Sequence, residues 1–372
     1  MKKRKKIQLL IVFSLLFISV ISSSGKYIED SSIKFKKINS ISTVYVDDNN
    51  TDGPWNGSMN YPYKCIQDAV NSTKPGSSIY VFNGTYHEHL QINKTITLIG
   101  EDKNNTIIDG NGIGSVIFVR SNWTNITGFT IQNCSELTDF YYAGIVLSRS
   151  SNNSIYKNNI IKNKGESIYL RINSSYNKIF SNNICNNKEG IRLNAYCSYN
   201  EIFQNNISNI YHYGIVLSYW CNFNNISRNH ILGNITSHHS SIRFFATDKN
   251  TVYENIIEGG EWGTAFSLEH SHENLILRNS FIGRNGFPDE GIKLNYKCHK
   301  NKIYENNFIN HSCHANFGTS FLNHWYGNYW DDWFGIKYNF LKKIPKIIKG
   351  DFLFCLSSYN FDWHPASEPY EI

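Results

Sequence analysis

Charge is thin in this chain. Asp, Glu, Lys and Arg make up 18% of its 372 residues, against about a quarter in ordinary globular proteins. Methionine is nearly absent, at two residues of which one is the initiator, and that excludes a Met-rich copper(I) site. No Cys-x-x-Cys pair occurs among the eight cysteines, so zinc-ribbon and thioredoxin-type centres are excluded as well. The cysteines are also not spaced like the framework of a small stapled scaffold. Between Asn125 and Asn310 no stretch sustains a 3.6-residue apolar period, which argues against helical repeats. Acids are sparse in the same region, where Asp occurs only as Asp139, Asp248 and Asp289.

The formal net charge is +6, but Lys2, Lys3, Arg4, Lys5 and Lys6 supply five of those charges. The remaining chain is close to neutral and has no electrostatic footprint for nucleic acid. The basic run precedes an apolar stretch, Ile7 to Ile21, and then Ser22, Ser23, Ser24 and Gly25. Basic, apolar and small in that order describe a secretory signal over residues 1–25, and predict a secreted, cell-surface or periplasmic protein. Because no A-x-A site is present, an uncleaved signal anchor stays open and would be the chain's membrane contact. Export permits disulfides, and also glycans at N-x-S/T sites such as Asn56, Asn71, Asn83, Asn93, Asn122, Asn206, Asn225 and Asn234.

What the chain has in excess is asparagine, about an eighth of all residues and far above ordinary usage. A repeat accounts for it. The phrase GIVL at Gly144 returns as SIYL at Ser167, GIRL at Gly190, GIVL at Gly214, SIRF at Ser241, AFSL at Ala265 and GIKL at Gly291. A second phrase keeps step, from NSIYKNNI at Asn153 through NEIFQNNI at Asn200 to NKIYENNF at Asn301. Each unit holds short period-2 stretches between polar punctuation, which is a strand signal. Stacking such units about 4.8 Å apart predicts Ile and Leu columns inside. It also predicts Asn columns at the corners, where Asn tolerates a left-handed turn and its amide can bond up and down the column. The segment Cys65 to Gly76 has helical spacing at Ile66, Ala69 and Val70 and would cap the first coil. After Asn310 the sequence turns aromatic and irregular. That divides the chain into a signal segment 1–25, a solenoid with its N-terminal cap over 42–310, and a C-terminal cap over 311–372.

The stretch IQDAVNSTKPGSSIYVFNGTYHEHLQINKTITLIGEDKNNTIIDG resembles the entry to pectin-lyase-like right-handed parallel β-helices. The coils and NYWDDW (Asn328 to Trp333) resemble the NosD-type branch of that superfamily, archaeal secreted members included. The likeness spans roughly Ser42 to Ile372. It implies an all-β protein, a right-handed parallel β-helix solenoid with a short N-terminal capping helix and an aromatic-rich C-terminal cap. Proteins of this kind include lyases, hydrolases, esterases, epimerases, adhesins and a periplasmic copper-maturation factor, so function does not follow from fold.

The Asp pairs of the hydrolases, the Gln/Asp/Arg set of the esterases and the D-P-H-D of the epimerases are all missing. One decorated face remains. Beside the G-I-x-L strand lie Glu166, Arg171, Glu189, Arg192, His212, His239, Arg243, Glu269, His270, Asp289, Glu290 and Lys293, with Tyr142, Tyr169, Tyr213, Trp220 and Trp262 nearby. Charged forks and aromatic rings on a flat sheet suit a polysaccharide or cell-surface glycan. The same pattern also serves as a solvated face of paired charges. The leading expectation is a non-catalytic, monomeric, exported glycan-binding protein. A polysaccharide lyase or glycoside hydrolase would use Glu189, Glu269 or Glu290 with Arg192, Arg243 or Lys293. A NosD-like copper accessory role would draw on His238, His239, His270 and His272. No cofactor is required by the sequence, with calcium or copper left open. Cys197 and Cys221 would sit in adjacent coils, as a disulfide or as a column of small residues.

Overall fold

The computed structural model describes residues 42–136, 142–233, 238–260, 263–284, 289–333, 344–352 and 356–372. The signal segment 1–25, Asp139, Asn234, Trp262 and Cys355 lie outside these residues. The repeat folds as three short strands per coil. In the coil that starts at Glu189 they are Glu189–Asn194, Glu201–Phe203 and Asn206–Ile210. Each pairs in parallel with its equivalent one coil on: Ile215–Ser218, Asn225–Ser227 and His230–Leu232. The third strands alone form an 11-stranded sheet, ten steps of about 4.8 Å.

The columns expected from the repeat are present. Ile145, Ile168, Ile191, Ile215, Ile242, Phe266 and Ile292 pair rung to rung. Leu147, Leu170, Leu193, Leu217, Phe244, Leu268 and Leu294 form the neighbouring column, and both sets are buried. Each such side chain contributes about 1.5–3 kcal/mol by leaving water. The first coil is closed by helix α1 (Ile66–Ser72), which buries Ile66, Ala69 and Val70 as its spacing predicts. The Glu88 carboxylate caps it, accepting from the Ile66 and Gln67 amides at 2.7 and 2.8 Å.

Asparagine takes the left-handed conformation at some positions, such as Asn152, Asn186, Asn209 and Asn310, but the ladder Asn plays a different part. The left-handed residue at each corner is the one before the Asn: Lys157, Ser181, Gln204, Arg228, Glu254, Arg278 and Glu305, all with φ between 51° and 55°. These side chains point outward and vary freely. The Asn that follows turns inward and fastens the bend. The Asn205 backbone N–H and Nδ2 both donate to Asn229 Oδ1 at 3.0 Å, while the same Nδ2 donates to the Ile179 carbonyl at 2.9 Å. Asn158, Asn182, Asn205, Asn229, Asn255, Asn279, Asn306 and Asn328 repeat this as one continuous ladder. Asn153 to Asn323 form a second ladder. A left-handed non-glycine residue costs about 1–2 kcal/mol, and the buried amide bonds offset it.

Three residues before each Asn of the second ladder lies a small polar group: Ser150, Ser174, Cys197, Cys221, Thr247, Ser271, Cys298 and Ser320, all buried. Cys197 Sγ donates to the Asn194 carbonyl (3.2 Å) and Cys221 Sγ to that of Ser218 (3.0 Å), as Ser174 Oγ does to Arg171 (2.8 Å). The thiols thus stand in for hydroxyls. All seven described cysteines are free.

The rungs run on past Asn310, through Cys313–Gly318, His324–Tyr326 and Tyr329–Trp330. An antiparallel hairpin, Lys346–Phe352 with Leu356–Asp362, then closes the end. Asp362 ends the first ladder. Fully buried, it accepts from the backbone amides of Gly327 and Asn328, from Asn328 Nδ2 and from Trp330 Nε1, at 2.9–3.3 Å.

Ladder position rather than asparagine itself should set stability. Asn205→Ala is expected to lower the unfolding free energy by about 3 kcal/mol, since it orphans the groups bonded to both amide atoms. The exposed neighbour Asn206 should cost under about 0.5 kcal/mol on the same change. Urea denaturation of the two variants checks this.

Candidate functional site

The register sets the site. Because the G-I-x-L strands pair in phase, their outward positions form columns too. One runs through Ala143, Glu166 and Glu189, and a second through Val146, Tyr169, Arg192, Val216, Arg243, Ser267, Lys293 and Asn316. A third carries Ser148, Arg171 and Asn194 on to Phe245 and Glu269. Of the sequence candidates, Glu166, Arg171, Glu189, Arg192, Arg243, Glu269 and Lys293 stand in these columns.

They are joined by contact into a row. Glu166 and Glu189 stand in adjacent rungs. Arg192 bridges them: its Nε lies 3.4 Å from Glu166 Oε1 and 2.8 Å from Glu189 Oε2, and its Nη2 also meets Glu189. His212 Nδ1 approaches Glu189 Oε1 at 3.6 Å, and the His239 ring lies 4.5 Å from that of His212. Tyr213 follows, 4.8 Å from His239, and its hydroxyl accepts from Arg243 at 3.3 Å. Arg243 in turn pairs with Glu269 at 3.1 Å. Further along, Glu290 pairs with Lys293 at 2.8 Å and accepts from Thr264 and Asn316. Arg171 lies over the Tyr169 ring.

The first part of the row is secluded, with the Glu166, Glu189 and Arg192 side chains only 7%, 9% and 16% exposed. Burial pushes the Glu166 carboxyl up to about 7, aided by the Glu189 charge and opposed by Arg192. Burial acts the same way on Glu189, but its bonds to His212 and Arg192 prevail and hold it below the usual carboxylate value. Burial, followed by the neighbouring His212, keeps His239 below the usual imidazole value. Two stacked carboxyls are thus split into one that keeps its proton near neutrality and one that stays ionised.

A cleft of about 610 Å³ opens beside this row, lined by Glu136, Lys162, Lys164, Lys188, Asn209 and Tyr211 among others. It borders the row directly, since Lys188 precedes Glu189 in the chain and the Tyr211 ring lies 5.0 Å from His212. Lys162 and Lys164 share one corner, and Lys188 repeats Lys164 one coil on, each following a ladder Asn (Asn163 and Asn187).

The aromatic expectation needs correction. Tyr169 is buried. Trp220 sits at a left-handed corner rather than on the sheet, stacked on Tyr196 at 5.1 Å. Tyr176, Tyr199 and Phe223 stack in the same way at 5.0 Å. These stacks brace corners, and their end rings stay about half exposed, Trp220 at 53%. The histidine candidates do not converge either. His270 is left-handed (φ 48°), which turns the chain, so His270 stacks on Tyr296 while His272 stacks on His299.

A family described as "Right handed beta helix region" matches residues 99–240. No curated protein matches the chain in sequence. Among solved structures, the Dettilon tailspike protein (gp208) is 13% identical with a TM-score of 0.58, over 77% of this chain and 66% of its own. XylC in complex with xylose is 11% identical with a TM-score of 0.56, over 72% and 75%. The mannuronan C-5 epimerase AlgE4 A-module of Azotobacter vinelandii is 12% identical with a TM-score of 0.52, over 70% and 88%. At such identities the likeness concerns fold. The chain is a right-handed parallel β-helix protein.

The raised Glu166 carboxyl has a measurable consequence. Between its ordinary value of 4.5 and about 7 the folded protein binds this proton more tightly than the unfolded chain. Its contribution is therefore complete at low pH and is lost as pH rises through about 7. The stability of Glu166→Gln relative to wild type should rise by about 1–3 kcal/mol from pH 5 to pH 8. Urea melts across that range check it.

Proposed function

We propose that this protein is an exported binder of an acidic polysaccharide, held along the outward face of the G-I-x-L sheet. The observation that carries the reading is the basic cleft of Lys162, Lys164 and Lys188 opening onto the row from Glu166 to Glu269. A solvated face needs paired charges but no cleft, and here three ammonium groups flank a row whose own charges are already matched. A polymer with carboxylate or sulfate groups meets cations in the cleft, while its hydroxyls meet carboxylates, imidazoles and Tyr213 along the row. The basic and apolar segment 1–25 supports export. Two fold neighbours bear names that concern sugars, a mannuronan epimerase module and XylC with xylose.

A second reading, glycoside hydrolysis, is favoured by the split between Glu166 and Glu189. A carboxyl protonated near neutrality suits a general acid, and an ionised partner suits a nucleophile or base.

Calorimetric titration with an oligouronate and a neutral oligosaccharide of equal length tests both readings. The acidic ligand should bind and the neutral one should not, with affinity falling as salt rises. Replacing Lys162, Lys164 and Lys188 together with Ala should weaken binding by about tenfold or more. Equal binding of both ligands, or indifference to the triple change, would sink the binding reading. Release of reducing ends that disappears in Glu189→Gln would promote the second.

A further inference from the structure

A separate cluster lies where the last coil meets the closing hairpin. The column that holds Gly144, Ser167, Gly190, Gly214, Ser241, Ala265 and Gly291 is small throughout, until the final coil puts His314 there. The opposing strand of that coil ends at Trp330, and Asp331 and Asp332 follow at the corner. His314 Nε2 lies 2.5 Å from Asp331 Oδ1, and its Nδ1 lies 3.4 Å from Asp332 Oδ2. One donor atom from each of the three residues falls within 4.8 Å of the others.

We propose that His314, Asp331 and Asp332 hold a divalent transition-metal cation of the zinc type. Three features support it. First, a carboxylate oxygen faces each imidazole nitrogen, so donor atoms of three residues lie together, with the His314 side chain only 8% exposed. Second, the position already draws a cation: Lys346 Nζ sits on both Asp332 oxygens at 2.5 and 2.6 Å. One ammonium against two carboxylates leaves room for more positive charge. Third, His311 lies alongside, its ring centroid 6.1 Å from that of His314. Its side chain is wholly buried, Nδ1 is held by Asp289 Oδ2 at 2.9 Å, and Nε2 has no hydrogen-bond partner. His311 stands outside the three-residue donor group and places a second buried imidazole beside it.

The donor set selects the ion. Nitrogen and oxygen without thiolate disfavours copper(I), and imidazole beside carboxylates suits zinc better than calcium. Three protein ligands leave a fourth position open to solvent, on the side where Asp332 is 45% exposed. Lys346 competes for Asp332, so the ion would release the hairpin's ammonium when it binds.

The test is calorimetric titration of the chelator-treated full chain with zinc chloride, with calcium chloride as the control. One zinc per chain should bind saturably, and calcium should bind far more weakly. His314→Ala and Asp332→Asn should each weaken zinc by about tenfold or more, while Lys346→Met should tighten it. Asp332 is half exposed, so its variant keeps the test valid if loss of His314 disturbs folding. No saturable zinc, or zinc that survives Asp332→Asn but is lost when His272 and His299 are both replaced with Ala, would overturn the proposal.

Discussion

Everything in this molecule rests on an amide that bonds to its own copy one coil away. Strands of three residues are too short to hold themselves, and the corners between them demand a backbone conformation that ordinary residues resist. The inward Asn meets both demands. It gives two hydrogens forward to the next Asn and one to a carbonyl behind it, so each corner is fixed by the corners on either side. From Asn153 onward the contact pins the register of the coils it joins.

In-phase stacking has an electrostatic result that a less regular fold would avoid. Like residues at equivalent positions are forced about 4.8 Å apart, whatever their charge. Glu166 above Glu189 is the sharpest instance, and the strain between them is relieved by Arg192 and by retention of a proton. Where charges alternate in sign, as in Arg228 with Glu254 and Arg278 with Glu305, the same geometry gives ordinary exposed pairs worth little. A row of secluded, matched charges therefore lies beside a cleft lined by Lys162, Lys164, Lys188 and Glu136.

The sequence made the Ile, Leu and Asn columns plain, because each coil repeats the same residue in the same place. The outward row was also readable, since Glu166, Arg192 and Arg243 stand at fixed offsets from the Ile column. Three features were hidden. The left-handed residue before each Asn varies from Lys157 to Ser181 to Gln204, so it carries no signature and was credited to the Asn itself. Lys188 joins Lys162 and Lys164, which share one corner, only because the coils stack. Asp331 and Asp332 were visible as a pair, but their partners His314 and Lys346 lie many residues away and meet them through the closing hairpin. Trp220, read as lying beside the sheet, stands instead at a corner, stacked on Tyr196 and about half exposed.

Asp362 gives the solenoid a defined length. Each of its bonds to Gly327, Asn328 and Trp330 is one it accepts, so it takes what Asn328 offers and passes nothing on. Interior coils are interchangeable parts. A duplicated unit slipped between Asn205 and Asn229 would find the same contacts on both sides. Growth by whole coils is thus open to the lineage, while the terminus, where donor meets pure acceptor, stays a single fixed stop.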